Sequence, residues 1–348
     1  MTNFLEEDLN HILNHTQDFW QQLEGRRVFI TGGTGFFGCW LLESFVWAVD
    51  VLNVNATALV LTRNFEAFKK KVPHLANHPA LSFMIGDVRS FEFPQGKFSH
   101  VIHAATEASV QFNAEYPMEM FDTIVEGTRH TLDFACVCSA EKFLLVSSGA
   151  VYGKQPLEMA QIPESYLGAP ETSQSLSTYG EGKRVAELLS NVYAESYGFD
   201  AKIARCFAFV GPYMPFNGQF AIGNFIRDLV NGGPVQVKGT GLASRSYLYA
   251  SDLAIWLWTI LFSSSPGALY NVGSDYAMTI AQVAQLIAEL QEPIPCDVHI
   301  HNQEQAALSV DRYLPDIQKA FQELYLDVWI DMSQSCRKSY SWYSQFVR

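Results

Sequence analysis

The chain has 348 residues, of which 48% are hydrophobic and 17% charged, so it can bury a large core and is neither disordered nor fibrous. Its formal net charge of -13 argues against binding to nucleic-acid phosphates or to anionic membrane surfaces. An acidic protein can still bind a small anion where helix ends and single arginines supply positive potential. The length predicts about two folding units.

The N-terminus and the cysteines favour a cytoplasmic protein. The first residues, MTNFLEEDLNHILNH, lack the basic and then apolar pattern of a secretory signal. The longest apolar run, residues 253–262, is much shorter than the roughly 20 residues that cross a bilayer, so we expect a buried helix there. The six cysteines are scattered, and their spacing predicts neither a metal site nor a redox centre.

Short apolar runs alternate with helical patterns from residue 26 onwards. Residues 1–24 come first and predict an amphipathic docking helix, with an apolar stripe formed by Leu5, Leu9, Ile12, Phe19 and Leu23. The predicted strands cover residues 26–31, 57–62, 81–87, 100–105, 142–148 and 201–211. Helices are predicted over residues 37–52, 117–140 and 179–197. This alternation predicts an α/β fold with a doubly wound parallel sheet.

The regular alternation is interrupted after Gly211. Segments rich in Gly, Pro and Asn follow, such as GPYMPFNGQ and NGGP. We therefore predict an N-terminal helical extension over 1–24, a doubly wound domain over 25–211 with later crossover segments, and a smaller C-terminal lobe over 212–348.

A glycine-rich turn joins the first strand to the helix that follows it. The segment VFITGGTGFFGCWLL places Gly32, Gly35 and Gly38 three residues apart. Glycines let the backbone approach a pyrophosphate, and the helix N-terminus offers that anion free N–H groups and partial positive charge. In this context the pattern favours a dinucleotide site over a tight turn without a ligand. The other loop residues expected at this site are Thr34, Phe36 and Phe37.

The end of the second strand predicts which cofactor binds. An acidic residue there would bind a free ribose 2′-hydroxyl, but the sequence VLTRN places Thr62 and Arg63 at this point. Arg63 can pair with a 2′-phosphate, which favours NADP over NAD, although it can equally stack on adenine or lie in solvent. Asp87 and its neighbour Val88 are the predicted adenine contacts, and Asp87 can alternatively cap the following turn.

Three residues point to oxidoreduction of an alcohol. Tyr179 and Lys183 lie four apart on a predicted helix and therefore share a face. Ser148 ends a buried strand, which is where doubly wound folds bind ligands. A lysine cation beside a phenol is expected to lower its pKa and make it a usable base, while the serine bonds the same reacting oxygen.

These motifs resemble those of the extended short-chain dehydrogenases/reductases, in the nucleotide-sugar epimerase/dehydratase family, over nearly the whole chain. The matching segments are TGGTGFFG at 31–38, GDV at 86–88, HAA at 103–105, SSGAVYG at 147–153, YGEGK at 179–183, GP at 211–212 and GTGLASRSYLYASDLA at 239–254. The resemblance implies a Rossmann domain that binds NAD(P) and a C-terminal lobe that binds a nucleotide diphosphate-sugar. It also implies a homodimer formed through the helices near 117–138 and 180–197.

The resemblance further implies roles for individual residues. Catalysis falls to Ser148, Tyr179 and Lys183, and Arg245 is expected to meet the substrate diphosphate. The loop at Ala104, Ala105 and Thr106 is expected to line the cofactor site. The remaining substrate candidates are Glu107, Gly149 and Asn224, of which Asn224 can equally be a surface residue or a helix cap.

Departures from the family pattern narrow the reaction. The 4,6-dehydratases of the family carry acidic residues just after the catalytic serine or threonine, whereas this chain has Gly149 and Ala150. Neither side chain carries a proton, so elimination of water by that route is unsupported and glutamate-dependent decarboxylation is weakened. Glu107 is the one nearby acid that we nominate as a substitute, although its loop is more simply a wall of the nicotinamide pocket. Ile124 and Ala208 replace asparagines that are frequent in the family.

The leading hypothesis is 4-epimerisation of a nucleotide-sugar through a 4-keto intermediate. The second is reduction of a 4-keto sugar by NADPH, which Arg63 favours. A 4,6-dehydratase that uses Glu107 is third. A dinucleotide-binding protein without catalytic activity is the alternative from a different class, and the set of Ser148, Tyr179 and Lys183 argues against it.

Overall fold

A parallel sheet of seven strands forms the centre of the protein. The computed structural model describes residues 4–106, 109–216, 220–301 and 311–346. Its strands are β1 (Arg27–Thr31), β2 (Thr57–Thr62), β3 (Leu81–Ile85), β4 (His100–His103), β5 (Lys142–Ser148), β6 (Asp200–Cys206), β7 (Phe209–Val210), β8 (Val235–Val237), β9 (Ser244–Arg245), β10 (Leu248–Tyr249), β11 (Leu269–Val272), β12 (Met278–Thr279), β13 (Val298–Ile300) and β14 (Arg312–Tyr313). The sheet order is β11-β6-β5-β4-β1-β2-β3, and the other strands form small sheets β7–β10, β8–β13 and β12-β9-β14.

The helices of the described ranges either pack on the two faces of this sheet or form a separate C-terminal core. They are α1 (Glu6–Thr16), α2 (Phe36–Leu52), α3 (Phe65–Lys71), α4 (Pro73–Ala76), α5 (Val110–Glu115), α6 (Pro117–Val137), α7 (Thr178–Tyr197), α8 (Ala221–Val230), α9 (Ala250–Ser263), α10 (Ile280–Ala288), α11 (Gln318–Leu324) and α12 (Met332–Tyr343). Successive residues of a strand point to opposite faces, so Val28 and Ile30 of β1 enter a core with α1, α2 and α9, while Phe29 enters a core with α6 and α7. The predicted doubly wound fold is confirmed.

The N-terminal extension docks on the domain core as the apolar stripe predicts. Four residues of the stripe are buried and Phe19 packs against the same core. Polar contacts fasten α1 as well, because Asp8 accepts a hydrogen bond from the Tyr249 hydroxyl at 2.8 Å and His11 pairs with Asp252 at 3.1 Å. One continuous helix over 1–24 is wrong, since α1 ends at Thr16 and a 3₁₀ segment, Gln17–Leu23, follows. The tighter turn brings Trp20 and Leu23 into the core.

The predicted strand over 201–211 is two strands in different sheets. The backbone N–H of Phe207 donates to Val272 of β11 at 3.0 Å, whereas the carbonyl of Ala208 accepts from Leu248 of β10 at 3.0 Å. The chain thus changes hydrogen-bonding partner between these residues, and β6 ends at Cys206. Strands β3 and β4 also end earlier than predicted, which leaves residues 86–88 and 104–106 as loops at the carboxyl edge of the sheet.

The sequence after residue 211 contributes to both parts of the protein. Strand β11 completes the central sheet, and α9 packs on its face with residues 250–262 buried, as the apolar run predicts. Helices α8, α10 and α12 form a separate core with β8. Among the helices of the described ranges, none is long and apolar enough to cross a membrane.

Candidate active site

A cavity of about 790 Å³ opens at the carboxyl edge of the central sheet. It spans the gap between β1 and β4, where the strand order reverses direction, which is the position where open α/β sheets bind ligands. Every residue predicted to contact the dinucleotide lines this cavity: Gly32, Thr34, Gly35, Phe36, Phe37, Gly38, Thr62, Arg63, Asp87, Val88, Ala104, Ala105, Thr106, Tyr179 and Lys183.

The glycine-rich loop has the close backbone approaches that exclude side chains. Gly32 has a φ of +72°, and a Cβ added there would lie 2.5 Å from the Ala104 carbonyl carbon. A Cβ on Gly38 would lie 2.3 Å from the Gly32 carbonyl oxygen. Helix α2 starts directly after Gly35, and no side chain of the described residues caps its N-terminus. Its first N–H groups therefore remain available to an anion.

A buried hydrogen-bond chain supports this loop from below. The Thr31 hydroxyl contacts Nδ1 of His103 at 2.8 Å and accepts the Ala105 N–H at 3.2 Å. Nε2 of His103 contacts the Thr128 hydroxyl at 3.1 Å. Burial lowers the pKa of His103 to about 3, so the imidazole is neutral and joins the ends of β1 and β4 to α6.

The cavity end near β2 and β3 carries the residues predicted for the adenosine. Asp87 binds Arg89 through both carboxylate oxygens at 2.8 and 2.9 Å, and it also accepts the Arg89 backbone N–H at 2.9 Å. Asp87 thus caps the following turn, as the alternative interpretation expects, and it lines the cavity as well. Arg89 holds the pKa of Asp87 below its usual value, and the positive charge of Arg63 adds to this effect.

Two buried polar atoms in the cavity wall lack a partner among the described residues. They are the Thr106 hydroxyl and Oδ1 of Asn113, whose Nδ2 donates to the Leu176 carbonyl at 2.9 Å. Buried polar atoms are nearly always hydrogen-bonded, so both of these are available to a polar group of a bound ligand. Together with the glycine-rich loop and the uncapped helix, they fit a bound dinucleotide.

Ser148, Tyr179 and Lys183 meet at the β5 end of the cavity. The Ser148 hydroxyl accepts the Ala150 N–H at 3.1 Å, in the 3₁₀ turn that follows β5. Lys183 donates from Nζ to the Val146 carbonyl at 2.9 Å, and this nitrogen lies 5.9 Å from the centre of the Tyr179 ring.

The electrostatics of this cluster differ from the sequence-based expectation. Burial raises the pKa of Tyr179 to about 12, and the neighbouring Ser148 hydroxyl opposes this rise. Burial also lowers the pKa of Lys183 to about 8, while the charge of Glu187 opposes that change. Lys183 does not produce the lowered phenol pKa that we expected, because its ammonium group is turned to the Val146 carbonyl and burial of the phenol has the larger effect.

A buried ion pair that the motifs do not reveal supports the Ser148 turn. Glu187 accepts the Ser147 hydroxyl at 2.5 Å and binds the Arg205 guanidinium, with the closest contact at 2.7 Å. Arg205 also lies over the Tyr152 ring, 4.6 Å from its centre. The sequence spacing could have indicated Glu187, because it follows Lys183 by four residues and therefore shares its helix face.

The structure brings only part of the predicted substrate set to the cavity. Ser148 lines it, but Gly149, Asn224 and Arg245 are not among its lining residues. Asn224 instead accepts a hydrogen bond from Arg227 at 3.0 Å, and Arg245 pairs with Asp311 at 2.5 Å. These contacts hold both side chains within the C-terminal lobe.

Gly149 lies beneath aromatic side chains from other parts of the chain. A Cβ added to it would come within 2.7 Å of both the Phe207 ring and the Tyr313 hydroxyl. Both aromatic residues line the cavity, although the motifs indicated neither of them. Glu107, the nominated substitute acid, lies outside the described residues.

Carboxylates are scarce in the described part of the cavity wall. Asp87 is the only one there, and it follows β3 at the far edge of the sheet from β5. Ala150, next to the Ser148 turn, lines the cavity with a methyl group. The described residues that line the cavity around Ser148 thus offer hydroxyl and ammonium groups but no acid.

Comparison with known proteins identifies the family and the relatives of this chain. Residues 28–273 match the NAD dependent epimerase/dehydratase family. UDP-glucuronic acid decarboxylase 1 of Arabidopsis thaliana is 30% identical over 86% of this chain and 65% of its own length. UDP-glucuronic acid decarboxylase 6 of the same plant is 31% identical over 84% of this chain and 82% of its own length.

Solved structures show the same fold at lower identity. A UDP-glucose 4-epimerase from Thermotoga maritima, with UDP-glucose, has a TM-score of 0.76 at 19% identity and covers 92% of this chain and 100% of its own. A dTDP-glucose 4,6-dehydratase from Streptomyces venezuelae, with NAD bound, has a TM-score of 0.77 at 23% identity and covers 92% of this chain and 97% of its own. The family match spans most of the chain, and the chain therefore belongs to the NAD dependent epimerase/dehydratase family of extended short-chain dehydrogenase/reductase enzymes.

Proposed function

We propose that this enzyme oxidises and reduces C4 of a nucleotide diphosphate-sugar, and that its net reaction is 4-epimerisation. One observation carries the proposal. The cavity that begins at the glycine-rich loop ends at Ser148, Tyr179 and Lys183, and none of the described residues that line this end carries a carboxylate. Glu187, behind Ser147, is paired with Arg205 and does not line the cavity. Such a group can exchange a proton with an alcohol oxygen, but the described wall of the cavity offers it no acid for a subsequent elimination.

Tyr179, Ser148 and Lys183 each have a separate role in this reaction. Tyr179 removes the proton of the C4 hydroxyl while Ser148 donates a hydrogen bond to the same oxygen. Lys183, whose pKa is about 8, carries a positive charge at neutral pH. In this proposal its ammonium group turns from the Val146 carbonyl toward the phenol during the reaction and there favours the tyrosinate against the effect of burial. A dinucleotide bound along the glycine-rich loop would supply the acceptor and donor of the C4 hydride. Return to the opposite face of the 4-keto sugar, with the proton given back by Tyr179, yields the C4 epimer with no net redox change.

Decarboxylation of a UDP-hexuronic acid is the second candidate. It is favoured by the relatives in Arabidopsis thaliana, which carry the name UDP-glucuronic acid decarboxylase at 30% and 31% identity. Oxidation at C4 makes the C6 carboxylate that of a β-keto acid, so the C5–C6 bond can break with release of CO₂ and the electron pair passes into an enolate. That enolate needs a proton at C5. Ala150, beside the serine, cannot supply it.

The cofactor preference is a further part of the proposal. Arg63 and Thr62, without an acid at the strand end, support NADP over NAD, although the family is named for NAD dependence. A preference for NADPH would also favour one-way reduction of a 4-keto sugar. We expect Arg63→Ala to weaken NADP binding about tenfold and NAD binding much less, as measured by titration calorimetry. Equal losses for both dinucleotides would contradict the preference.

Product analysis separates these candidates. The purified protein is incubated with UDP-glucose, dTDP-glucose and UDP-glucuronic acid, with and without added dinucleotide, and products are identified by NMR and mass spectrometry. C4 epimers formed without added cofactor support epimerisation, whereas a UDP-pentose with CO₂ supports decarboxylation. When a nucleotide-4-keto sugar is supplied instead, consumption of NADPH in proportion to that sugar supports the reductase. A parent protein that binds dinucleotide but converts none of these nucleotide-sugars would contradict the proposal.

We also propose that the enzyme is a homodimer formed through α6 and α7. Leu188 and Val192 are four residues apart on α7 and are 61% and 47% exposed, and Met118 and Val137 are exposed on α6. A second copy of the chain would cover this apolar surface. Sedimentation should give a dimer for the protein and a monomer for Leu188→Lys. A monomer for both would contradict the proposal.

A further inference from the structure

We infer that Tyr313 is a positioning residue that fixes the direction of the Ser148 hydroxyl, so that the serine proton points toward Tyr179 and the substrate oxygen. The inference rests on the proposed function, since it assigns a residue that prepares the same reacting group. Tyr313 belongs to β14, far along the chain from the three residues that the motifs identify.

Tyr313 reaches the active site from the C-terminal lobe. Strand β14 pairs with β9 in parallel register, with Tyr313 opposite Arg245. The Tyr313 ring packs on Phe207 with their centres 4.6 Å apart, and both line the cavity. Its hydroxyl would lie 2.7 Å from a Cβ on Gly149, the residue directly after Ser148. The phenol therefore covers the turn that carries the serine.

The hydrogen bonds of Ser148 define what the phenol does. A serine hydroxyl has one proton to donate and two lone pairs that accept. The Ala150 N–H occupies one lone pair at 3.1 Å. The Ser148 hydroxyl also lies near both phenols, since it opposes the rise in the pKa of Tyr179 and of Tyr313. When the Tyr313 O–H occupies the second lone pair, the serine proton is left for Tyr179 and for the substrate oxygen beside it.

Tyr313 is suited to donate rather than to exchange protons. Burial raises its pKa far above the ordinary value for tyrosine, and the neighbouring Tyr179 and Cys206 act in the same direction. The opposing influences are the Ser148 hydroxyl and the charge of Arg245, whose guanidinium lies 6.0 Å from the ring centre. The phenol therefore stays protonated wherever Tyr179 works as a base.

Gly149 makes this contact possible. Any side chain at that position would collide with the Tyr313 hydroxyl and with Phe207. The Tyr313 phenol can therefore lie over the turn only because the residue after Ser148 is a glycine and not an acid. In this arrangement, Ser148 is oriented by a neutral donor that cannot take part in elimination.

The direct test replaces Tyr313 by phenylalanine, which keeps the ring and its packing on Phe207. We expect kcat for the nucleotide-sugar reaction to fall about tenfold, the loss typical of one oriented hydrogen bond, with KM little changed. The limb of the pH–rate profile that reports Tyr179 should move to higher pH, because the serine proton no longer favours the tyrosinate. Tyr325→Phe, at a side chain that is 84% exposed, is the matched control and should behave as the parent enzyme. An unchanged kcat and pH profile, or a rise in KM alone, would overturn the inference.

A second measurement does not depend on identifying the substrate. Tyrosinate absorbance of the enzyme loaded with NAD⁺ or NADP⁺ is titrated in the parent protein and in Tyr313→Phe, and Tyr179→Phe assigns the signal of Tyr179. The Tyr179 titration should move to higher pH in Tyr313→Phe. In Gly149→Ala the added Cβ would push the Tyr313 phenol away from the Ser148 turn, and the Tyr179 titration should shift in the same direction. If no nucleotide-sugar is converted, the proposed function fails and the titration still decides the role of Tyr313; an unshifted titration in both variants overturns it.

Discussion

The buried ion pair of Glu187 and Arg205, behind Ser148, predicts a large loss of stability when Glu187 is replaced. Glu187 is buried in α7, where it accepts the Ser147 hydroxyl and holds Arg205 through both carboxylate oxygens. Glu187→Ala would remove all of these acceptors at once. The Arg205 side chain is only 14% exposed, so its charge would be left without compensation in the protein interior.

The size of the effect follows from that burial. Removing one partner of a buried pair costs about 3–5 kcal/mol, chiefly because the other charge stays buried and unpaired. We therefore expect Glu187→Ala to lower the free energy of unfolding by about 3–5 kcal/mol. Adding Arg205→Met removes the stranded charge, and the double variant should recover at least about 2 kcal/mol of this loss.

Urea unfolding followed by tryptophan fluorescence measures these differences at fixed protein concentration. Glu141→Ala is the matched control, because Glu141 pairs with Arg26 at the surface, where the two side chains are 54% and 44% exposed. An exposed pair contributes about 1 kcal/mol or less. Equal losses for Glu187→Ala and Glu141→Ala, or a double variant that is no more stable than Glu187→Ala, would refute the reasoning.

Three further variants test the glycine loop, the C-terminal lobe and a pH-sensitive contact. Gly38→Ala should abolish dinucleotide binding in titration calorimetry, because its Cβ would lie 2.3 Å from a loop carbonyl oxygen; binding at parental affinity would contradict this. Asp311→Asn should lower KM for the nucleotide-sugar severalfold, because it releases Arg245 from its ion pair and leaves that charge for the substrate diphosphate; an unchanged or higher KM would count against this role. The Glu43 carboxylate raises the pKa of His74 above its ordinary value, so this contact stabilises the fold fully below that value and loses its effect as the pH rises through the raised pKa. Thermal unfolding of His74→Gln should therefore differ from the parent more at pH 6 than at pH 8, and the opposite order would be inconsistent with the contact.

Local sequence predicted the parts of the site that depend on local geometry. Gly32 adopts a positive φ and Gly38 packs against the loop, requirements that a short motif carries by itself. The four-residue spacing of Tyr179 and Lys183 likewise fixes a shared helix face, and both line the cavity as expected. The strands and the doubly wound fold followed from the alternation of apolar and helical patterns in the same way.

The remaining features depend on contacts between distant parts of the chain. Arg245 meets Asp311, which is 66 residues away, and no spacing rule predicts that the lobe would pair this arginine with its own carboxylate. Tyr313 reaches the serine turn only because β14 pairs with β9. The raised pKa of Tyr179 also depends on burial and on the orientation of Lys183, neither of which can be derived from helix spacing.

Transfer of hydride from C4 is the central claim, and isotope transfer tests it most directly. UDP-glucose, dTDP-glucose and UDP-glucuronic acid that carry deuterium at C4 are incubated in ordinary water with the dinucleotide-loaded enzyme, and the products are analysed by NMR and mass spectrometry. We expect at least one of these sugars to give a C4 epimer that keeps its deuterium at C4, because the same hydride leaves the sugar and returns to it, and we expect no product with Tyr179→Phe, which still binds the dinucleotide. A converted product in which solvent hydrogen has replaced the C4 deuterium would contradict hydride transfer.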